Sequence, residues 1–343
     1  MEDLKIQRKL IHICENISNE KSKEVVLKYF KHKVAEGISE NRQRRILDFL
    51  CHLLTNFDFD LTKMTEDQMK EVVAWVNSHK EWKEWTRYTY LHIFKNFCRW
   101  LCKKYKLSLP LDEIKIKEPK NSVMPEYLIT EDEFKKLLDA CEDPQFKTLL
   151  GVLYESGCRI GEILGLKIQN VDFNEYGAKL YVKGKTGQRI IPIIWFAGML
   201  RQHIEAHPLK DNPEAPLWII KDPNGNFKAM TYGAFRMRLR RLCQKVGIKK
   251  RIHAHLFRHT RLTELAKELP EQTLKQLAGW VADSKMAQVY VHLSQRDVEE
   301  SLLTRVYGIK KAEDKPDEKV KICPKCKEPN HILLSIVADA LIL

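Results

Sequence analysis

Several things are missing from this sequence, and each absence narrows what it can be. No run of about eighteen apolar residues occurs anywhere in its 343 positions, so no segment is expected to cross a bilayer. Glu2, Asp3, Lys5, Arg8 and Lys9 charge the start of the chain, which argues against the apolar core of a signal peptide. The nine cysteines have no framework spacing. Cys14, Cys51, Cys98 and Cys158 fall in apolar helical patterns and read as reduced, buried small hydrophobes of a cytoplasmic protein. No G-x-x-x-x-G-K-S/T loop is present to cradle a nucleoside triphosphate. Acidic residues are absent from Arg236 to Arg261, where Arg238, Arg240, Arg241, Lys245, Lys249, Lys250 and Arg251 crowd together. Such a one-sign run repels itself unless it meets an anion, and helices of that kind usually face phosphate.

Positive charge is what the chain has in excess. Lys and Arg total 59 against 46 for Asp and Glu, a formal charge of +13 that favours a polyanionic partner such as nucleic acid. Length and a 44% hydrophobic content suffice for two domains with cores of their own. From about residue 20 to 106 the apolar positions recur at helical spacing, as in Val25, Val26, Tyr29, Phe30 and then Ile46, Leu47, Phe49, Leu50, Leu53, Leu54. A helix starting after Thr65 over 66–78 and a last one from about Trp85 to Lys104 complete a bundle of four or so helices, assigned to residues 1–106. Trp82, Trp85 and Tyr88 near Arg87 suit either a surface that grips a backbone or a helical core.

Residues 107–127 carry Pro110, Pro119 and Pro125 without periodicity and read as a linker. A second domain, 128–309, opens with a capped helix start at Thr130 and a further helix over about Gln145 to Glu155. Beyond Leu166 short alternating runs predict two strands joined by a tight loop at Gly184 to Gly187, and after Thr231 the pattern is helical again. The fold class expected is mainly α with a small β-sheet: a helical N-terminal domain and a mixed α+β second domain. Residues 310–343 form a charged linker and tail. There Cys323-Pro324-Lys325-Cys326 is half of a zinc-ribbon pattern with no second pair; His331 would be a third ligand at best, whereas a full site needs four.

Four separated segments carry the chemistry: Glu155 to Leu166, with Arg159 at a helix start and Glu162 three residues on; the hairpin Val182 to Arg189, with Lys183 and Lys185; His255-Leu256-Phe257-Arg258-His259-Thr260; and Leu277-Ala278-Gly279-Trp280, ten residues before Val289-Tyr290-Val291-His292. Arginine forks bind phosphate in pairs of hydrogen bonds, a hairpin lysine can enter a groove, and a spacing of three puts His255 and Arg258 on one helical face. In this order and spacing the segments resemble the catalytic domain of the tyrosine recombinase, or phage integrase, family. The helices before Pro110 resemble its core-binding domain, and the match covers roughly residues 20 to 309.

That resemblance implies a DNA recombinase that cuts and rejoins double-stranded DNA as a homo-tetramer on two sites. Tyr290 is then the nucleophile, Arg159 and Arg258 clamp the phosphate, Lys185 is the general acid, and His255 is a proton-transfer or hydrogen-bonding partner. Trp280 stands where most members have His, and its indole N–H can still donate to a phosphate oxygen. Glu162 orients its neighbours. No cofactor is implied, because a transesterification keeps the bond energy in a 3′-phosphotyrosine. Lys183 competes with Lys185 for the hairpin role. His259 competes with His255 and is otherwise assigned to capping or packing its helix, Tyr307, a second late tyrosine, is assigned to packing, and Arg159 and Arg258 could instead be solvated or paired with Glu162. A DNA-binding protein without turnover and a type IB topoisomerase-like enzyme are the alternatives.

Overall fold

The apolar stripes of the first hundred residues become five helices: α1 (Glu2–Asn16), α2 (Glu20–Ala35), α3 (Glu40–Asn56), α4 (Glu66–Ser78) and α5 (Glu84–Tyr105). The computed structural model describes residues 2–17, 19–119, 127–184, 187–293, 320–322 and 329–331. It divides into two units, Met1–Ser122 and Val123–Leu343. In the first unit α3 packs against α1, α2 and α5. Leu47, Phe49, Leu50 and Leu53 of α3 meet Val25, Val26 and Tyr29 of α2 and Phe94, Phe97 and Leu101 of α5 in one buried core. Caps set the boundaries. Asn19 accepts from the amide of Ser22 at 3.0 Å, and Thr65 and Gln68 cap one another's backbone at the start of α4.

Two aromatic residues with equal claims in sequence part company here. Trp82 packs against Trp75 and Tyr90, with ring centroids 5.1 and 4.9 Å away, whereas Trp85 is exposed with Tyr88 as its edge-on neighbour. The Pro110 segment is not free chain throughout: Ile114 is buried in this core, and Leu107, Leu109, Leu111 and Ile116 pack on it.

In the second unit, α6 (Glu131–Asp139) starts at a Thr130–Glu133 capping box and α7 (Pro144–Ser156) at Asp143, whose carboxylate accepts from the amide of Phe146. Helix α7 is buried on nearly every side and ends at Gly157, just before the short α8 (Ile160–Leu164). A three-stranded antiparallel sheet follows, ordered β1 (Val171–Asn174), β2 (Gly177–Gly184), β3 (Gly187–Ile193). The expected two strands therefore gain a third. Val171 and Phe173 pair opposite Leu180 and Ala178. Leu180, Val182, Ile191 and Ile193 face the core, while Tyr181, Lys183 and Ile190 face out.

Glu155, buried in α7, accepts the amides of Ile194, Trp195 and Phe196 at 2.6, 2.8 and 3.0 Å and so fixes the entry to α9 (Ala197–Glu205). A small hairpin, β4 (Ile219–Lys221) with β5 (Phe227–Ala229), precedes four helices: α10 (Tyr232–Lys245), α11 (Ala254–Glu268), α12 (Glu271–Ala278) and α13 (Met286–Leu293). Helix α11 lies against α7, α12 and α13. In the tail, β6 (Val320–Ile322) pairs with β7 (Pro329–His331), and Cys323 and Cys326 lie outside the described residues. No described helix is long and apolar enough to cross a membrane.

Gly151 gives a test of how α7 and α9 meet. A Cβ built on it would lie 2.1 Å from Cδ1 of the buried Phe196. Alanine is the better helix former by about 1 kcal/mol, but overpacking costs about 1–3 kcal/mol. Gly151→Ala should therefore lower the melting temperature, measured by circular dichroism; an unchanged or higher value would contradict this packing.

Candidate active site

Three arginines from distant segments converge on the C-terminal end of α12. Arg189, Arg258 and Arg159 donate to three consecutive carbonyls: Nε of Arg189 to Leu277 at 2.9 Å, Nη2 of Arg258 to Ala278 at 2.8 Å, and the Arg159 guanidinium to Gly279 at 3.4–3.5 Å. A helix C-terminus offers unpaired carbonyls and the negative end of its dipole, so it suits cations. Gly279 itself has φ of +62°, and a Cβ there would stand 2.9 Å from the Arg189 guanidinium, so any other residue would strain the turn and push Arg189 off its partners.

Glu162 completes the arrangement. Its carboxylate takes Nη1 of Arg159 at 3.0 Å, Nη2 of Arg189 at 2.7 Å and the Arg159 amide at 2.9 Å. Burial pushes its pKa up, but the bonds from Arg189 and Arg159 outweigh that and hold it below the ordinary carboxylate range. Arg189 also reaches Sγ of Cys158 at 3.4 Å, and although burial disfavours its charge, Glu162 holds its pKa above the usual arginine value. Two guanidiniums share one carboxylate, and the Arg159 side chain keeps 34% of its surface open. Arg159 is thus paired with Glu162 and also available to an anion.

Arg258 is 1% exposed. Besides Ala278 it holds the carbonyl of Gly157 at 3.0 Å, which ties the end of α7 to the end of α12. Burial and the nearby Arg159 lower its pKa to about 10, still a cation at neutral pH, and the Trp280 ring lies 5.4 Å from it. Trp280 in turn stacks on Tyr290 at 5.3 Å and 24°.

Tyr290, also 1% exposed, stacks on His259 at 5.6 Å, and its hydroxyl meets Nδ1 of His259 at 2.7 Å. Burial pushes the phenol up to about 12 against the pull of Arg258 and Arg159. His255, one turn earlier on α11, sets its ring edge-on to His259 at 4.5 Å. It keeps a solvent-facing edge, while desolvation of the rest of the ring and the Arg258 charge bring its pKa to about 4.

Arg159, Arg258, His255, Trp280 and Tyr290 are thus gathered in one place. Lys185 lies outside the described residues, as does Tyr307; Lys183 is exposed on the outer face of the hairpin, opposite Gln188. Among the described residues no group of three or more His, Cys, Asp and Glu side chains is placed to hold a metal ion.

Two members of the site escaped the sequence reading. Arg189 shares the inward parity of Ile191 and Ile193, and a charged residue on a buried strand face calls for a partner, so the signal was available. For His259 the sequence favours capping or packing over the role given to His255. Its place four residues after His255 put it on the same face, but nothing local pointed to Tyr290. The basic run is also less free than its composition suggests, because Arg238, Lys245 and Lys250 pair with Asp143, Glu142 and Glu133.

Residues 128–296 match the phage integrase family. The tyrosine recombinase XerD of Bifidobacterium longum is 29% identical over 207 residues, 55% of this chain and 65% of that protein. XerC of Thermodesulfovibrio yellowstonii is 26% identical over 196 residues, 53% and 62% of the two chains. The chain therefore spans less than two thirds of the length of both. XerC of Natranaerobius thermophilus is 25% identical over 255 residues, 72% of this chain and 82% of that one. The fold is similar to that of lambda integrase in a dimer bound to a COC′ core site, with a TM-score of 0.63, 15% identity, and 80% and 78% of the chains covered. XerH bound to difH substrate in a pre-cleavage complex aligns with a TM-score of 0.58 at 18% identity, over 87% of this chain and 94% of that one.

The shared carboxylate sets a test of the arginine anchor. Breaking a buried pair from one side costs about 3–5 kcal/mol, so Glu162→Gln should lower the melting temperature at neutral pH. The folded pKa of Glu162 is depressed, so its contribution is full above the usual 4.5 and is lost as pH falls through the folded value. The difference in melting temperature between wild type and Glu162→Gln should be widest near pH 7 and shrink in acid below about pH 4. A difference that holds constant into acid would assign Glu162 to packing.

Proposed function

Since residues 128–296 are a phage integrase family domain, we propose that this chain is a site-specific DNA recombinase that cuts and rejoins duplex DNA through a 3′-phosphotyrosine bond to Tyr290. The observation that carries this reading is the convergence at Tyr290. Its ring lies against Trp280 and His259, and the charges of Arg258 and Arg159 are close enough to pull on its phenol.

Tyr290 attacks the scissile phosphorus, the bond to the 5′ oxygen breaks, and that oxygen leaves as a hydroxyl protonated by Lys185. Arg159 and Arg258 hold the non-bridging oxygens as negative charge builds, and Trp280 donates its indole N–H beside them. Both arginines are anchored before DNA arrives, so little reorganisation is needed at the moment of reaction. Glu162 and Arg189 are positioning residues for Arg159. With Tyr290 1% exposed, DNA binding has to uncover its hydroxyl before attack. A 5′ hydroxyl from the same or a partner strand reverses the step, and the retained bond energy removes any need for a nucleotide cofactor.

Double-stranded DNA is the substrate. The first unit, with exposed Trp85 edge-on to Tyr88, supplies a further grip on the duplex. Strand exchange between two sites calls for four active sites, hence a homo-tetramer. A tetramer bound to a Holliday junction is the form of one lambda integrase structure of similar fold. The working compartment is the cytoplasm, where bacterial and archaeal DNA lies.

Tyr290→Phe should abolish covalent attachment to duplex DNA taken from the flanks of its own gene while leaving binding nearly intact, read as loss of the slower protein–DNA band on a denaturing gel. A covalent band that persists in Tyr290→Phe would move the nucleophile elsewhere, and its absence from wild type would favour a DNA-binding protein without turnover. The general acid has its own signature. Lys185→Ala should cleave ordinary DNA severely slowly and recover on a 5′-bridging phosphorothioate, whose leaving group needs no proton. If Lys183→Ala shows that rescue and Lys185→Ala cleaves like wild type, the acid is Lys183.

A further inference from the structure

Attack by Tyr290 releases a phenolic proton, and arginine and indole side chains are donors only, so none of Arg159, Arg258 and Trp280 can receive it; of the two histidines at the site, the Tyr290 hydroxyl meets His259, while His255 packs edge-on against His259. An acceptor is needed within hydrogen-bond reach of the reacting oxygen. We propose that His259 is the general base for Tyr290 in strand cleavage and the acid that returns the proton to the departing phenolate on rejoining. This assignment rests on the recombinase reading above.

The geometry is specific to one ring nitrogen. Nδ1 of His259 lies 2.7 Å from the Tyr290 oxygen, and the two rings are stacked within 28° of parallel. For Nδ1 to accept, the imidazole must be neutral and carry its hydrogen on Nε2. Its surroundings enforce the neutral form. Burial first, then the neighbouring His255, His253 and Arg258, bring the pKa of His259 to about 4. A protonated imidazole in this place would have no lone pair to offer. His255 sits beside it edge-on, one helical turn away, and helps hold the ring.

A base of such low pKa takes the proton only as the new bond forms. While the phosphorus–oxygen bond to Tyr290 develops, the phenolic oxygen loses its affinity for the proton, which passes to Nδ1. The incoming phosphate meanwhile offsets the positive charge of Arg258, one of the groups that keeps His259 neutral. The bond to the 5′ oxygen breaks and that oxygen takes a proton from the general acid. Cleavage thus ends with His259 as imidazolium and the general acid one proton poorer. Rejoining runs the same transfers backwards, with the imidazolium protonating Tyr290 as it leaves.

The test uses the full chain and a duplex from the flanks of its gene carrying a 5′-bridging phosphorothioate, so that only the nucleophile's side of the step limits the rate. His259→Asn keeps an acceptor near the Nδ1 position but cannot take up a proton. It and His259→Ala should each form the covalent complex roughly 100-fold more slowly with DNA affinity retained. Difluorotyrosine in place of Tyr290, whose phenol gives up its proton more readily, should restore most of the rate in His259→Asn, a recovery that a purely structural role cannot produce. Equal or faster attachment by His259→Asn, or no gain from the fluorinated phenol, overturns the proposal. If both variants fail to fold, nitrogen-15 NMR of histidine-labelled wild type decides. Nδ1 of His259 must be the bare nitrogen, and a proton found on it overturns the proposal. A wild type that forms no adduct at Tyr290 instead sinks the recombinase reading itself.

Discussion

A buried guanidinium is tolerable only when its N–H groups find acceptors, and the second unit meets that constraint for Arg258 and Arg189, with the half-open Arg159 beside them, chiefly through one helix end and one carboxylate. The carbonyls of Leu277, Ala278 and Gly279 each take a different arginine, and Glu162 takes two of the three. Everything else at the site is placed relative to this knot. Because Arg258 also holds Gly157, the end of α7 cannot move away from the end of α12 without leaving a buried charge unpaired. Because Gly279 passes close to Arg189, the chain emerges from the knot with Trp280 lying against both Arg258 and the ring of Tyr290.

The same constraint shapes the electrostatics around Tyr290. Burial raises the phenol and lowers His255, His259 and Arg258, while the arginine charges pull the phenol back down and push the histidines further. At neutral pH the outcome is a set of hydrogen-bond donors and cations around a protonated phenol, with Nδ1 of one neutral imidazole 2.7 Å from its oxygen. An anion entering the site meets charge already fixed in place by α8, α11 and the end of α12.

Outside the knot, the positive charge of the chain is partly spoken for. Arg238, Lys245 and Lys250 are matched by Asp143, Glu142 and Glu133 on and beside α6 and α7. These surface pairs each contribute little to stability. Their effect is to narrow the free cationic surface of α10 and the following loop to residues such as Arg236, Arg240, Arg241, Lys249 and Arg251, which are exposed.

What the sequence determined by itself is whatever neighbours along the chain decide. Caps such as Thr65 with Gln68, Thr130 with Glu133 and Thr231 before α10 mark helix starts because the bonding partners are three residues apart. The hairpin around Gly184 and Gly187 and the placing of Arg159 at a helix start follow from local turn chemistry, and the order of the four segments by itself resembles the phage integrase family. Only the tertiary structure decided which distant groups meet. Arg189 finds Leu277 88 residues on, Arg159 reaches Gly279 across 120, and His259 meets Tyr290 across 31. It also packed Trp82 against the core and left Trp85 exposed, and paired Val171 to Asn174 as a third strand. A side chain's parity on a strand or helix tells which way it faces, but its partner is chosen by packing between elements that the sequence keeps far apart.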